Sequence, residues 1–194
     1  MLILNPLDKL IHSDLYRCIG HISLKQFYKQ LIFNTGFRYL FIFRKGAFFS
    51  RKDTFSRKLS FYFYYFLWHH YSTKYSIHIP LKTIIGYGCY LGYGENITIT
   101  ASATIGNNVN INHGAVIGRT NRGNKKGAPT IGDCVWIGTN AVVVGRITIG
   151  NNVLIAPLSH VNFDVPENAV VSGNPAKIIS YHGTEGYINN KWME

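Results

Sequence analysis

His113 stands in "INHGAVIG" (residues 111–118), six residues before Arg119 opens the basic run "RTNRGNKKGAP" (119–129). A neutral imidazole can take a proton from a hydroxyl near pH 7 and return it to a departing group. The run after it offers Arg119, Arg122, Lys125 and Lys126, cations suited to the phosphates of a cofactor or to an anionic acceptor. A glycine-rich basic loop is equally what flexibility and solubility call for. His160, in "PLSHVNF", is the rival base, while His69, His70, His78 and His182 read as solvated or packed. His113 also fits a plain surface side chain at a turn. A zinc centre needs several ligands at set spacing, which His113 and His160 do not supply, so no metal is expected.

The elements that must hold His113 announce themselves by a period of six. Aliphatic residues fall at Ile79, Ile85, Leu91, Ile99, Ile105, Ile111, Ile117, Ile131, Ile137, Val143, Ile149, Ile155 and Val161. Two residues are inserted after Leu91 and eight after Ile117; elsewhere the phase is unbroken. A glycine often follows the aliphatic residue, and a small or β-branched one sits four on, as Val109, Ala115, Val135, Ala141 and Val153. Such a repeat is the signature of a parallel β-helix, a triangular prism in which three hexapeptides make one turn and stacked turns bury a continuous aliphatic ladder. The ladder residues therefore build the coil, and function belongs where the ladder is broken or decorated.

The prism imposes a register. Leu91, Ile111, Ile137 and Ile155 occupy the same side in successive turns, so their i+2 neighbours form a column: Tyr93, His113, Thr139 and Pro157, spaced by about 4.8 Å, the distance between strands. The eight-residue excess leaves the coil one side after His113, at 119–130, and a long loop on a rigid scaffold is a usual place for binding.

Charge is concentrated elsewhere. Residues 1–76 carry twelve Lys and Arg against three acids, and 20 of the 28 aromatic residues, so they supply most of the chain's net +11. The stretch "FYFYYFLWHHY" (61–71), flanked by Arg51, Lys52, Arg57 and Lys58, is far short of the roughly 20 apolar residues needed to span a bilayer. It suits helices packed on the second half with their basic face in solvent, or contact with an anionic membrane surface. No recognition motif accompanies the charge, so no nucleic acid is expected. Cys18, Cys89 and Cys134 are odd in number without a CxxC spacing, and the first dozen residues lack a basic region followed by an apolar run. The expectation is a reduced, cytoplasmic protein, peripheral at the inner face of the membrane if residues 1–76 touch lipid.

The stretch "IGNNVNINHGAVIGRTNRGNKKGAPTIGDCVWIGTNAVVVGRITIGNNVLIA" (105–156), followed by "VPENAVVSGNPAKII" (165–179), resembles the hexapeptide acyltransferases, most closely their serine O-acetyltransferase branch. "GFRYLFIFRKGAFF" (36–49) and "YSIHIPLKTIIG" (75–86) are similar to that branch's helical segment and first coil. The resemblance implies a mainly β fold, a left-handed parallel β-helix (77–179) with an α-helical segment (1–76), an extruded loop (119–130) and a C-terminal tail (180–194). It further implies a homotrimer with acetyl-CoA as donor and active sites in clefts between subunits. CoA is expected along the C-terminal coils near Thr139, Ala141, Ala156 and Lys177. Trp136 and Val144 are expected on the flanks that meet a neighbouring subunit. The acceptor is expected at Tyr93, Arg119 and Asp14, the last because "HSDLYR" resembles the start of an acceptor-side helix; a helix N-terminal carboxylate is the plain alternative.

The pattern departs from the serine enzymes at two places. Where they carry an Asp-His pair this chain has Gly92 and Tyr93, and where they carry His-Pro it has Ala128 and Pro129. "HGAVIG" resembles a stretch in which related transferases place a histidine, so an imidazole is kept in the column one turn from Tyr93. A single base suffices, since a hydroxyl attacking a thioester loses its proton as the new bond forms, and backbone amides at a coil turn can hold the oxyanion. The expected activity is O-acetylation of a hydroxyl by acetyl-CoA, with a sugar of a surface polysaccharide or its precursor as acceptor and His113 as base. L-serine is the alternative acceptor, and a non-catalytic scaffold the alternative role.

Overall fold

The computed structural model describes residues 5–50 and 55–193; Arg51 and Lys52 lie outside the described residues, as does the side chain of Arg57. Four helices come first: α1 (Pro6–Ile19), α2 (Leu24–Phe33), α3 (Thr35–Phe49) and α4 (Phe55–Tyr75). Asn5 caps α1 by accepting from the Leu7 amide at 2.7 Å, Pro6 fits the first turn, and Gly20 ends the helix at φ 75°. Leu7, Ile11 and Leu15, four residues apart, bury one face of α1 against Phe37 of α3. Asn34 caps α3 through the Phe37 amide at 3.0 Å. Tyr39, Leu40 and Phe43 of α3 enter the same core as the coil ladder.

Fourteen short strands follow. Three parallel sheets form the prism: β1 (Ile84–Ile85), β4 (Thr104–Ile105), β7 (Thr130–Ile131) and β10 (Thr148–Ile149) make one face. The strands β3 (Thr98–Ile99), β6 (Val116–Gly118), β9 (Val142–Val144) and β12 (His160–Val161) make the second. The third holds β2 (Tyr90–Gly92), β5 (Asn110–Asn112), β8 (Trp136–Ile137), β11 (Leu154–Ile155) and β13 (Val170–Gly173), closed by antiparallel β14 (Ala176–Ser180). This is the parallel β-helix that the hexapeptide period predicts, of the left-handed family that the resemblance implies. All thirteen aliphatic positions of the repeat are buried. At about 0.8 kcal/mol per buried methylene, they are the coil's main stabilisation.

The loop after β6 folds into a hairpin instead of standing free. Thr120 and Gly127 exchange backbone hydrogen bonds of 2.9 and 3.0 Å, and the Arg146 amide donates to Lys125 O at 2.8 Å. Lys125 Nζ donates to Asn162 O at 2.8 Å, which latches the hairpin to a neighbouring coil. The tail is docked too. It runs back along the prism, where Thr184 N donates to Asn152 Oδ1 at 3.1 Å and Trp192 N to Asn108 Oδ1 at 2.8 Å. Trp136, expected on a subunit flank, meets Tyr187 of this tail with ring centroids 5.1 Å apart.

Candidate active site

The column forms as its register requires. Leu91 pairs with Ile111 and Ile111 with Ile137, and Ile137 in turn pairs with Ile155. Tyr93, His113, Thr139 and Pro157 therefore stand at one corner of successive turns. Tyr93 is 80% exposed and sits at φ 61°, a left-handed conformation uncommon for a residue with a side chain. Its ring meets His113 edge to face, with centroids 5.5 Å apart and planes at 86°. His113 Nδ1 is buried and has no hydrogen-bond partner among the described residues. A buried, unpaired ring nitrogen costs free energy. The amides around His113 are largely committed: Gly114 N donates to Glu95 O (3.3 Å), Ala115 N to Asn112 O (3.2 Å) and Asn140 N to His113 O (3.0 Å).

The α2–α3 junction closes over the same corner. The backbone of Gly36, at the start of α3, lies so close to Leu91 O that a Cβ there would collide with it, and a Cβ on Gly94 would strike the Gly36 amide. Glycine at both positions lets helix and turn touch. Beside this contact, Lys29, Gln30, Phe33, Asn34, Thr35, Tyr90, Leu91 and Tyr93 line a cleft of about 390 Å³. These helix residues were not singled out as functional in the sequence; the only local signal was the Asn-Thr-Gly that starts α3.

Two expected site residues are placed elsewhere. Asp14 is not at a helix N-terminus but in the third turn of α1, 1% exposed, with Arg44 (4% exposed) opposite. Arg44 Nε donates to Asp14 Oδ2 at 3.0 Å, Arg44 Nη2 to Oδ1 at 3.2 Å, and the Cys89 amide to Oδ1 at 2.9 Å. Burial works to lower the Arg44 guanidinium, but the Asp14 charge and hydrogen bonds outweigh it and leave it raised. Arg44 also donates to Ile85 O and Gly86 O, both at 2.6 Å. The carboxylate is thus consumed in joining α1, α3 and the first coil, and an acceptor cannot reach it. Ala141 is also misassigned: it is fully buried in the ladder, because the small residue four after each aliphatic points inward as well.

The remaining positions are accessible. Thr139 and Ala156 are half-buried at the coil edge, and Lys177 is exposed on β14 opposite Ser172. Arg119 is exposed at the root of the hairpin, one face on from His113, as are Arg122 and Lys126. His160 is half-buried on the second face, outside the His113 column. Burial pushes the thiols of Cys18 and Cys89 up to about 12, so neither is a nucleophile near neutral pH. Among the described residues no group of three or more His, Cys, Asp or Glu is arranged to hold a metal, and no helix is long and apolar enough to cross a membrane.

Known proteins share this architecture. Residues 128–162 match the family of bacterial transferase hexapeptide (six repeats). Serine acetyltransferase 2 of Arabidopsis thaliana is 38% identical over 108 residues, 56% of this chain, and the chain spans only 33% of that protein's length. The crystal structure of Neisseria gonorrhoeae serine acetyltransferase in complex with serine is 30% identical, with a TM-score of 0.73 over 90% of this chain and 69% of that one. Serine acetyltransferase from Brucella abortus, solved in complex with coenzyme A, is 26% identical with a TM-score of 0.72 over 91% of this chain and 67% of the other. With its buried aliphatic ladder and a likeness that runs through both helices and coils, the chain belongs to the hexapeptide-repeat acyltransferase family.

Proposed function

We propose that this protein is an acetyl-CoA-dependent O-acetyltransferase in which His113 is the general base. The observation that carries the reading is the half-buried imidazole of His113, held edge-on by Tyr93 at a coil corner beside a polar cleft in a chain of this family. His113 takes the proton of the acceptor hydroxyl as its oxygen bonds to the thioester carbon. The carbon–sulfur bond then breaks, and the proton passes to the CoA thiolate. No covalent enzyme intermediate is needed. CoA lies along the coil edge at Thr139 and Ala156, with Lys177 and the hairpin cations Arg119, Arg122 and Lys126 free for its phosphates. Three copies complete the site, as the resemblance to the hexapeptide acyltransferases implies.

The similar proteins are serine acetyltransferases, and this backs L-serine, the alternative acceptor, rather than a polysaccharide. Contact with an anionic membrane surface draws support only from the exposed apolar residues of α2 and α4, such as Leu24, Phe33 and Phe66, among basic neighbours. Sedimentation with phosphatidylglycerol vesicles tests it. The activity itself is tested by release of CoA thiol from acetyl-CoA over L-serine and a panel of sugars. Acceptor-dependent release is expected; bound CoA with no release for any acceptor would favour a scaffold.

A further inference from the structure

At the corner of the prism away from His113, the coil turns through residues with left-handed backbone: Gly88, Asn108, Cys134, Asn152 and Asn168. They precede Leu91, Ile111, Ile137, Ile155 and Val171 by three positions, and these pair from coil to coil, so the turn residues form a column. The C-terminal tail is laid along it. Gly183 N donates to Asn168 O at 2.9 Å and Thr184 N to Asn152 Oδ1 at 3.1 Å. Asn108 then holds Trp192 by both ends of its amide: Oδ1 accepts from Trp192 N at 2.8 Å, and Nδ2 donates to Trp192 O at 3.0 Å. In the first coil the column has no side chain. A Cβ on Gly88 would meet Asn108 Oδ1 at 2.5 Å and Arg17 Cδ at 3.3 Å, and it is Arg17, from α1, that fills the place.

Arg17 brings a charge without a partner. Two arginines, Arg17 and Arg44, are buried where α1 meets the coil, but the oxygens of Asp14 are taken by Arg44 and the Cys89 amide. Arg17 spends Nε on Gly88 O and Nη2 on Asn110 Oδ1, while Nη1 is buried and has no partner among the described residues. A guanidinium keeps its proton, so this charge cannot be shed. The thiols of Cys18 and Cys89, pushed up to about 12, are neutral near pH 7 and do not balance it. A second donor without a partner belongs to the same seam. Trp192 Nε1 is buried and unpaired, and its ring meets that of Tyr16, the residue before Arg17, edge to face at 5.6 Å. Arg17 is only 5% exposed within a single chain, so its own α1, coil and tail close the place before any neighbouring copy docks.

A water molecule completes such a seam poorly. It would find donors in Arg17 Nη1 and Trp192 Nε1, whereas the acceptors beside them, Gly88 O, Asn108 Oδ1 and Asn110 Oδ1, are already engaged. It would also leave a buried cation uncompensated, which costs several kcal/mol. An anion only accepts, and it supplies the missing counter-charge. The enclosure restricts it to a small one.

We propose that the seam between α1, the Asn108 turn and the C-terminal tail is a binding site for a small anion of chloride's size, held by Arg17 and Trp192, which clasps the tail to the helical segment. The site is separate from acetyl transfer and stands or falls without it. Thermal melts of the full chain at constant ionic strength test it, with chloride exchanged for gluconate, which is too large for the seam. Chloride should raise the melting temperature by several degrees in a saturable way. Bromide should do the same, and in crystals its anomalous signal should lie within hydrogen-bond distance of Arg17 Nη1. Trp192→Phe keeps a ring against Tyr16 and removes only the Nε1 donor, so it should weaken the halide about tenfold. Arg17→Gln should abolish the response. Equal melting of the parent in gluconate and chloride would overturn the proposal. So would a halide response that Arg17→Gln retains or, should that variant fail to fold, one that Trp192→Phe leaves unchanged.

Discussion

The prism and the joint that ties the helices to it are both buried, but they are held by opposite means. The prism repeats one interaction: Leu91, Ile111, Ile137 and Ile155 stack one above another, and each loss is shared with the neighbours above and below. The joint is made of single copies. Asp14 with Arg44 ties α1, α3 and the first coil, while Arg17 donates to Gly88 O at 3.1 Å and to Asn110 Oδ1 nearby. Repetition spreads stability over many small terms; a buried ion pair concentrates it, because removing one partner strands the other.

The largest effect should come from breaking the joint. Arg44→Leu should cost about 3–5 kcal/mol by leaving Asp14 buried without its partner, and the double variant Asp14→Leu/Arg44→Leu should regain most of this. Urea denaturation followed by circular dichroism reads both. A double variant no better than Arg44→Leu alone would show that shape, not charge, holds the joint. In the ladder, Ile137→Val should cost only about 0.5–1.5 kcal/mol by the same measurement. A loss as large as that of Arg44→Leu would erase the contrast.

The thiols sharpen the comparison with pH. Cys18 and Cys89 belong to the joint, and burial raises both from 9.0 to about 12. Their folded-state values lie above the unfolded ones, so the unfolded chain releases these protons first. Stability should therefore be intact below pH 9 and fall as pH rises from about 9 towards 12, and native Cys89 should resist thiol reagents at pH 8. Rapid labelling of native Cys89 would contradict a sealed joint. The smallest effect is expected at the hairpin latch. Lys125→Ala removes one exposed hydrogen bond to Asn162 O and should change stability by less than about 1 kcal/mol.

The same contrast explains what could be read without coordinates. The ladder was legible because its signal recurs; thirteen aliphatic residues in phase fix the faces, the register and hence the column at His113. Ala141 shows the limit of that reading, since the period says which residues recur but leaves open how many of each six point inward. Asp14 shows a second limit. An acid in a segment that resembles an acceptor-side helix reads as a ligand contact until its partner, here Arg44 thirty residues on, is seen to face it. The cleft beside the His113 column was invisible for the same reason: Lys29 and Gln30 meet Tyr90 and Tyr93 only because two glycines let α3 touch the turn. The tail's course along Asn108 and Asn152 follows no period at all.

The central claim, that the column at the broken corner of the prism holds the base, is tested most directly by two variants in one assay. With the best acceptor from the panel, turnover by His113→Ala and His160→Ala is measured beside CoA affinity and oligomeric state. His113→Ala should lose about 10²- to 10⁴-fold in kcat, the usual weight of one acid–base group, with CoA affinity and assembly unchanged. His160→Ala, at a residue on another face, should stay within a few-fold of the parent. An inactive His160→Ala beside a fully active His113→Ala, or full activity in both, would contradict the account.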